Sequence, residues 1–508
     1  MNNYSLNNFV RYSLLFIILL FTFYFIKYIF KFQFGGYDLS PLIDLCSRLN
    51  RGDVPGKDFI STFPLSFLLW LKINLLFFNN NYNFLLYSGY SHFIICTIFV
   101  GALLRQNLKL NTLASLTIII AVMAVPELVT NHIWHSIISQ YNCIVVLIVI
   151  INIIIAKKIT VLGYIVFALF VGFALFSKQN VGILCVGLCA VTLIICYLFK
   201  VITLREVIAS ALIFICSTVF YVLLIHSLLR IDYSEFIRTY TSVLGRGIPS
   251  IGQIKEVFII SRANMVLTLF SIVFSLILFR IVLQIKKKPI DTKIFIGFIF
   301  SIQVIGYYAF LTDWDIKFND FPLIGLSTII LLSVIFENNV ALIRSYHFAI
   351  ILIVALAVYL GVKRYRMNLV GYGAFYEDGQ LYKINDGYLK GLYVGKKLYA
   401  INKEIDSLKK GGIIPVKTFF GPRMEFGYTQ YNIPSPAHMP LWWHPGSSYN
   451  IRDEKKVISI FTNFNFDVLI FLKGDRTRMP QAIIDYISEN YYIYKPSVYL
   501  DIYKHNQE

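Results

Sequence analysis

The side chains with the most chemical potential crowd into one stretch, Gly35–Phe67, GGYDLSPLIDLCSRLNRGDVPGKDFISTFPLSF. It holds the carboxylates Asp38, Asp44, Asp53 and Asp58, with the cations Arg48, Arg51 and Lys57 between them. A carboxylate fixed where membrane meets water can take a proton from a hydroxyl, and a nearby cation can hold a phosphate. Asp38 or Asp44 suits the first task and Lys57 the second, with Asp58 placed to orient phosphate or acceptor. Each has a structural reading too: Asp38 as a helix cap, Lys57 as a snorkelling anchor.

Further groups sit in polar breaks between apolar runs. Ser177-Lys178-Gln179-Asn180 offers a cation where a helix begins, and free N–H groups there favour an anion. After Leu229 come Arg230, Arg238, Arg246, Lys255 and Arg262; Arg246, between two glycines, is the expected phosphate ligand. Glu127, His132 and His135 flank Trp134 in a spacing that matches no metal signature, so Glu127 and His132 read as substrate contacts or interfacial anchors. Asp313 and Asp315 could bind hydroxyls or a divalent ion. In the tail, GPRMEF and PLWWHPG bring Arg423, Glu425, Trp442, Trp443 and His444. Indole faces stack on sugar CH groups; packing against headgroups or inside a core is the alternative.

Elements must position these groups. Leu39–Leu49 reads as an amphipathic helix with Asp44 and Arg48 four apart, too polar to span and expected to lie along the membrane surface. A crossing needs about 20 apolar residues. Runs of that kind are Ser13–Phe30, Phe84–Leu104, Leu113–Val129, Ile137–Ala156, Val161–Phe176, Val181–Phe199, Val207–Leu228, Met265–Leu283, Ile294–Leu311, Phe321–Phe336 and Phe348–Val362. Pro64–Phe78 covers only roughly 22 Å and carries Lys72 in its middle, so it reads as a surface segment. With the N-terminus inside, the short inner loops then hold Lys157, Lys158, Lys200, Arg205 and Lys286–Lys288, as the positive-inside rule asks. The tail falls on the outer side.

Composition agrees. Of 508 residues, 57% are hydrophobic and only 15% charged, where soluble chains carry about 25% charged residues. The net charge of +18 comes from basic residues standing singly between apolar runs, which disfavours nucleic acid as a partner. Seven cysteines lack CxxC spacing, so no zinc site is expected, and six of them lie in apolar runs, so no disulfide is expected in the exposed parts. The chain contains no P-loop and no GxGxxG. The expected fold is an all-α polytopic membrane bundle of about 11 helices over 1–362, with a first periplasmic loop at 32–83. A small α/β periplasmic domain follows over 363–508, with helices at Tyr399–Lys409 and Pro480–Asn490 and a strand at Asp467–Leu472.

Gly-Tyr-Asp after the first apolar run, the amphipathic helix, Asn50-Arg51-Gly52-Asp53-Val54-Pro55-Gly56-Lys57-Asp58-Phe59 and Phe63-Pro64-Leu65 together resemble the GT-C superfamily of polytopic glycosyltransferases. GPRMEF and LWWHPG look most like bacterial or phage serotype-converting O-antigen glucosyltransferases. The resemblance implies Asp38 as base, although Leu39 follows it where relatives commonly have Asp-Glu. It implies an inverting transfer of a sugar, glucose by this likeness, from undecaprenyl phosphate to a surface polysaccharide. The place would be the bacterial inner membrane, with the N-terminus cytoplasmic. Lys57, Lys178 and Arg246 would hold the phosphate. No cofactor is expected; a divalent metal stays open. The rival readings are a flippase for lipid-linked sugars, a polysaccharide polymerase or ligase, and a receptor.

Overall fold

The computed structural model describes residues 39–106, 134–234, 237, 274–276, 278–279, 288–311, 321–335, 380–443, 449, 453–475 and 479–506. The helices before the tail are α1 (Leu39–Arg51), α2 (Leu65–Leu75), α3 (Tyr82–Gln106), α4 (His135–Ala156) and α5 (Val161–Leu175). They continue as α6 (Gln179–Leu198), α7 (Leu204–Leu229), α8 (Ile290–Leu311) and α9 (Phe321–Ile335).

Among the described residues, five stretches are long and apolar enough to cross a membrane: Tyr82–Leu104, His135–Ala156, Asn180–Leu198, Leu204–Leu229 and Ile290–Ala309. The chain is therefore a mostly helical protein of multi-pass membrane character, and the count of eleven is not reached here. Helices α5 and α9 are apolar but have 15 residues each. The runs Ser13–Phe30, Leu113–Val129 and Phe348–Val362, and most of Met265–Leu283, lie outside the described residues.

Two helices show how composition sets position. Helix α4 is apolar on all sides, and its spanning window is wholly buried at the centre of the bundle. Helix α7 buries only Ser210, Ser217, Ile225 and Leu229, and turns Ile208, Leu212, Ile215, Val219 and Leu223 outward. It begins with a capping box in which Thr203 and Glu206 satisfy each other's backbone N–H groups. It approaches α5 closely at Gly172, where a Cβ would stand 2.4 Å from the Tyr221 ring. The Tyr221 hydroxyl donates to the Leu169 carbonyl at 2.6 Å, and Ser217 Oγ donates to that of Ala168 at 2.7 Å.

The tail domain runs β1 (Tyr382–Lys383), β2 (Tyr393–Val394), α10 (Lys396–Lys410), β3 (Thr418–Phe420), α11 (Phe426–Gln430), α12 (Glu454–Phe464), β4 (Val468–Leu472), α13 (Gln481–Asn490), β5 (Tyr491–Pro496) and β6 (Leu500–His505). Its four-stranded sheet has the order β3-β4-β6-β5; β3 and β4 are parallel and the other pairs antiparallel. The helices and the strand expected from sequence are present as α10, α13 and β4. Successive residues of β4 serve opposite faces. Leu469 packs with Phe419, Phe461 and Ile483 in one core, while Val468, Ile470 and Leu472 belong to another.

That second core extends beyond the tail. It includes Leu39, Leu42, Ile43, Leu45, Cys46 and Leu49 of α1, Phe59, and Phe173, Phe176, Ile225 and Leu229 from the ends of α5 and α7. Helix α1 is thus not open along a surface, as its amphipathic pattern suggested. The polar face expected to meet water is covered by the tail at Ser40, Asp44 and Arg48, which are buried, while Asn50 and Arg51 at the end of the helix stay exposed.

Candidate functional site

Backbone pairing fastens the first loop to the tail. His438 N–H donates to the Asp58 carbonyl at 2.6 Å, Ile60 N–H to that of Met439 at 3.1 Å, and Leu441 N–H to that of Ile60 at 3.1 Å. The loop itself turns at Gly56, whose φ of 87° is open to glycine without strain. Asp58 Oδ2 accepts the Val54 N–H at 2.8 Å, so this carboxylate closes the turn. Lys57 is exposed at the tip, and its carbonyl meets His438 Nδ1 at 2.8 Å.

Asp44 and Arg48 form the ion pair their spacing predicts, Nε to Oδ2 at 2.8 Å, with side chains 2% and 4% exposed. The tail completes the pair. Ser435 Oγ donates to Asp44 Oδ1, Arg48 Nη2 donates to the Pro436 carbonyl at 3.0 Å, and the guanidinium stands 5.3 Å from the Phe59 ring centre. With both oxygens engaged, Asp44 has the geometry of a clamp between loop and tail.

Glu425 is the second buried carboxyl of the seam, 4% exposed. Ser40 Oγ donates to its Oε2 at 2.7 Å and Arg423 N–H to its Oε1 at 3.0 Å, while Ser40 Oγ accepts the Phe426 N–H at 2.9 Å. Burial pushes this carboxyl up to about 8; the hydrogen bonds pull the other way and do not offset it, and nearby Asp44 adds to the rise. The protonated form of Glu425 is therefore favoured over its ordinary balance, at a position against the first turn of α1 through Ser40. Asp38 itself lies outside the described residues, as do Glu127, His132, Arg246 and His444. The Arg423 guanidinium pairs with Asp475 at 3.3 Å inside the tail.

The two adjacent tryptophans part company. Trp443 is 2% exposed and packs edge-on against Phe419 and Phe461 in the tail core. Trp442, half-buried, meets Phe63 at 5.0 Å and Trp134 at 5.7 Å between ring centres, so it is the indole at the seam. Lys178 is buried at the start of α6, and its N–H donates to Ser139 Oγ at 2.9 Å.

Sequence reading missed two features. A buried polar chain links α3, α4 and α2 through the α5–α6 connection: His92 Nε2 to Asn142 Oδ1 at 2.9 Å, Asn142 Nδ2 to Ser177 Oγ at 3.2 Å, and Ser177 Oγ to Ser66 Oγ at 3.2 Å. Its only sequence signal was polar residues interrupting apolar runs. Beside the first loop, Lys72 Nζ donates to the Leu49 carbonyl at 2.6 Å, and a Cβ on Gly52 would lie 3.9 Å from Arg230 Nη1. Among the described residues no group of three or more His, Cys, Asp or Glu side chains could hold a metal. No protein-family model matches the chain, and no curated protein matches it.

Proposed function

We propose that this chain is an inverting glycosyltransferase that moves a sugar, glucose by its family likeness, from undecaprenyl phosphate to a surface polysaccharide such as O-antigen. The reaction would run on the periplasmic face of a bacterial inner membrane. One observation supports this most: the acid-bearing first loop and the tail share a core and buried polar contacts at one end of an apolar bundle. A lipid-borne donor reaches such an end from the bilayer, and a polysaccharide reaches it from water.

In this reading Asp38 takes the proton of the acceptor hydroxyl. The acceptor oxygen attacks the anomeric carbon, the bond from that carbon to the phosphate oxygen breaks, and the phosphate leaves with the electron pair. A single displacement inverts the centre. A phosphate is already a good leaving group, so the need is for cations to hold its charge. Lys57, Lys178 and Arg246 are assigned that task, and Trp442 is the stacking face for the acceptor.

The test is transfer itself. Purified protein is incubated with labelled polyprenyl-phosphate sugars and polysaccharide, beside the Asp38→Asn variant. Transfer by the wild type and none by the membrane-inserted variant supports the reading; full activity in the variant removes Asp38 from the mechanism. The buried polar chain from His92 to Ser66 is the one observation that favours a flippase instead. Movement of labelled donor across vesicles with no product bond would establish that alternative.

A further inference from the structure

Helices α5 and α7 are parallel neighbours. Their C-terminal ends enter the core shared with the tail, through Phe173, Phe176, Ile225 and Leu229, so their N-termini point to the opposite end of the bundle. A cavity of about 730 Å³ opens between those N-termini, lined by Lys157, Lys158, Tyr164, Arg205, Glu206 and Ile213. Part of its charge is already committed. Lys157 pairs with Asp291 at 2.9 Å, and Glu206 accepts the N–H groups of Ile159 at 3.1 Å and Thr203 at 2.8 Å. Lys158 and Arg205 are exposed and make no ion pair among the described residues. The positive ends of two helix dipoles add to them.

Above this cationic mouth the two helices present apolar side chains outward: Val161, Ile165 and Leu169 on α5, and Ile208, Leu212 and Ile215 on α7. Charge at one level and exposed hydrocarbon immediately beyond it are the two halves of a phospholipid. We propose that the cavity binds the phosphate-bearing headgroup of an anionic phospholipid, with Lys158 and Arg205 on the phosphate and the acyl chains along the outward faces of α5 and α7. The site lies away from the tail seam and does not depend on the transfer reaction.

The experiment uses the full chain in a neutral detergent and counts lipid adducts by native mass spectrometry. Phosphatidylglycerol is the probe, phosphatidylcholine the zwitterionic control, and glycerol 1-phosphate the headgroup without chains. Phosphatidylglycerol is expected to bind about tenfold more tightly than phosphatidylcholine, and Lys158→Gln/Arg205→Gln to abolish the difference. Lys200→Gln, outside the cavity, should leave it unchanged. If the double variant does not fold, each single substitution of these exposed residues should still cost about threefold. Undiminished phosphatidylglycerol binding in the variants overturns the proposal. Displacement of the lipid by glycerol 1-phosphate at matching concentration also overturns it, since the ligand would then be a soluble phosphate.

Discussion

Ser40 donates its hydroxyl hydrogen to Glu425 Oε2 at 2.7 Å, joining the first turn of α1 to the tail across 385 residues of chain. The same hydroxyl accepts the Phe426 N–H, so one small side chain orders both the carboxyl and the start of α11. The first turn of α1 is therefore held to the tail by a buried side-chain and backbone contact at one point.

Glu425 makes stability depend on pH. Its carboxyl ordinarily titrates near 4.5, and burial raises it to about 8 in the fold. Between those values the folded protein holds a proton that the unfolded chain has released, so stability falls as pH rises. The steepest loss is about 1.4 kcal/mol per pH unit, and it ceases above the folded value. Glu425→Gln keeps the shape and cannot ionise, so its melting temperature should vary less across the same window. An unchanged pH profile in that variant would show that Glu425 titrates normally.

Arg48→Ala should strip the clamp. It leaves the Asp44 carboxylate buried with Ser435 as partner and removes the bond to Pro436. Breaking a buried pair from one side costs about 3–5 kcal/mol. Asp44→Ala/Arg48→Ala should cost less than the two single substitutions summed, because no uncompensated charge remains. Thermal unfolding of the four proteins measures this.

Much of the tail was legible because its signals are local. DVLIFL is a short apolar run between turns, and the helices at α10 and α13 carry their periodicity in a dozen residues. The Asp44–Arg48 pair was legible for the same reason. Its burial was not, because Ser435 and Pro436 are nearly four hundred residues away and an amphipathic helix looks alike whether its polar face meets water or a tail domain. Nor could sequence separate Trp442 from Trp443, adjacent and identical in type, where only the tertiary fold decides which indole faces the seam.

Those tryptophans give opposite expectations. Trp443→Ala empties a packed site among Phe419 and Phe461 and should cost about 3–5 kcal/mol. Trp442→Ala removes a half-buried ring at the seam and should leave most of the stability while lowering sugar transfer, with the loss falling on acceptor KM if the ring stacks on the acceptor. Melting curves and transfer assays on both variants separate the roles; equal loss of stability would make Trp442 a core residue as well.

Sidedness follows from the shared core. Phe59 of the first loop, Leu229 at the end of α7 and Ile502 of β6 occupy one hydrophobic cluster, so loop and tail must lie on the same side of the membrane. The N-termini of α5 and α7 are at the other end of the same helices. Cysteines placed at exposed Lys57 and Val498 should therefore react with a membrane-impermeant maleimide from one side, and a cysteine at exposed Lys158 only from the other. Of the native cysteines among the described residues, all but Cys216 are buried, and Cys216 sits on the outward apolar face of α7, a helix long and apolar enough to span, between Leu212 and Val219. In sealed inside-out and right-side-out vesicles, labelling of Lys57→Cys and Val498→Cys from opposite faces would break the shared core, and with it the one-sided site that the proposed reaction needs.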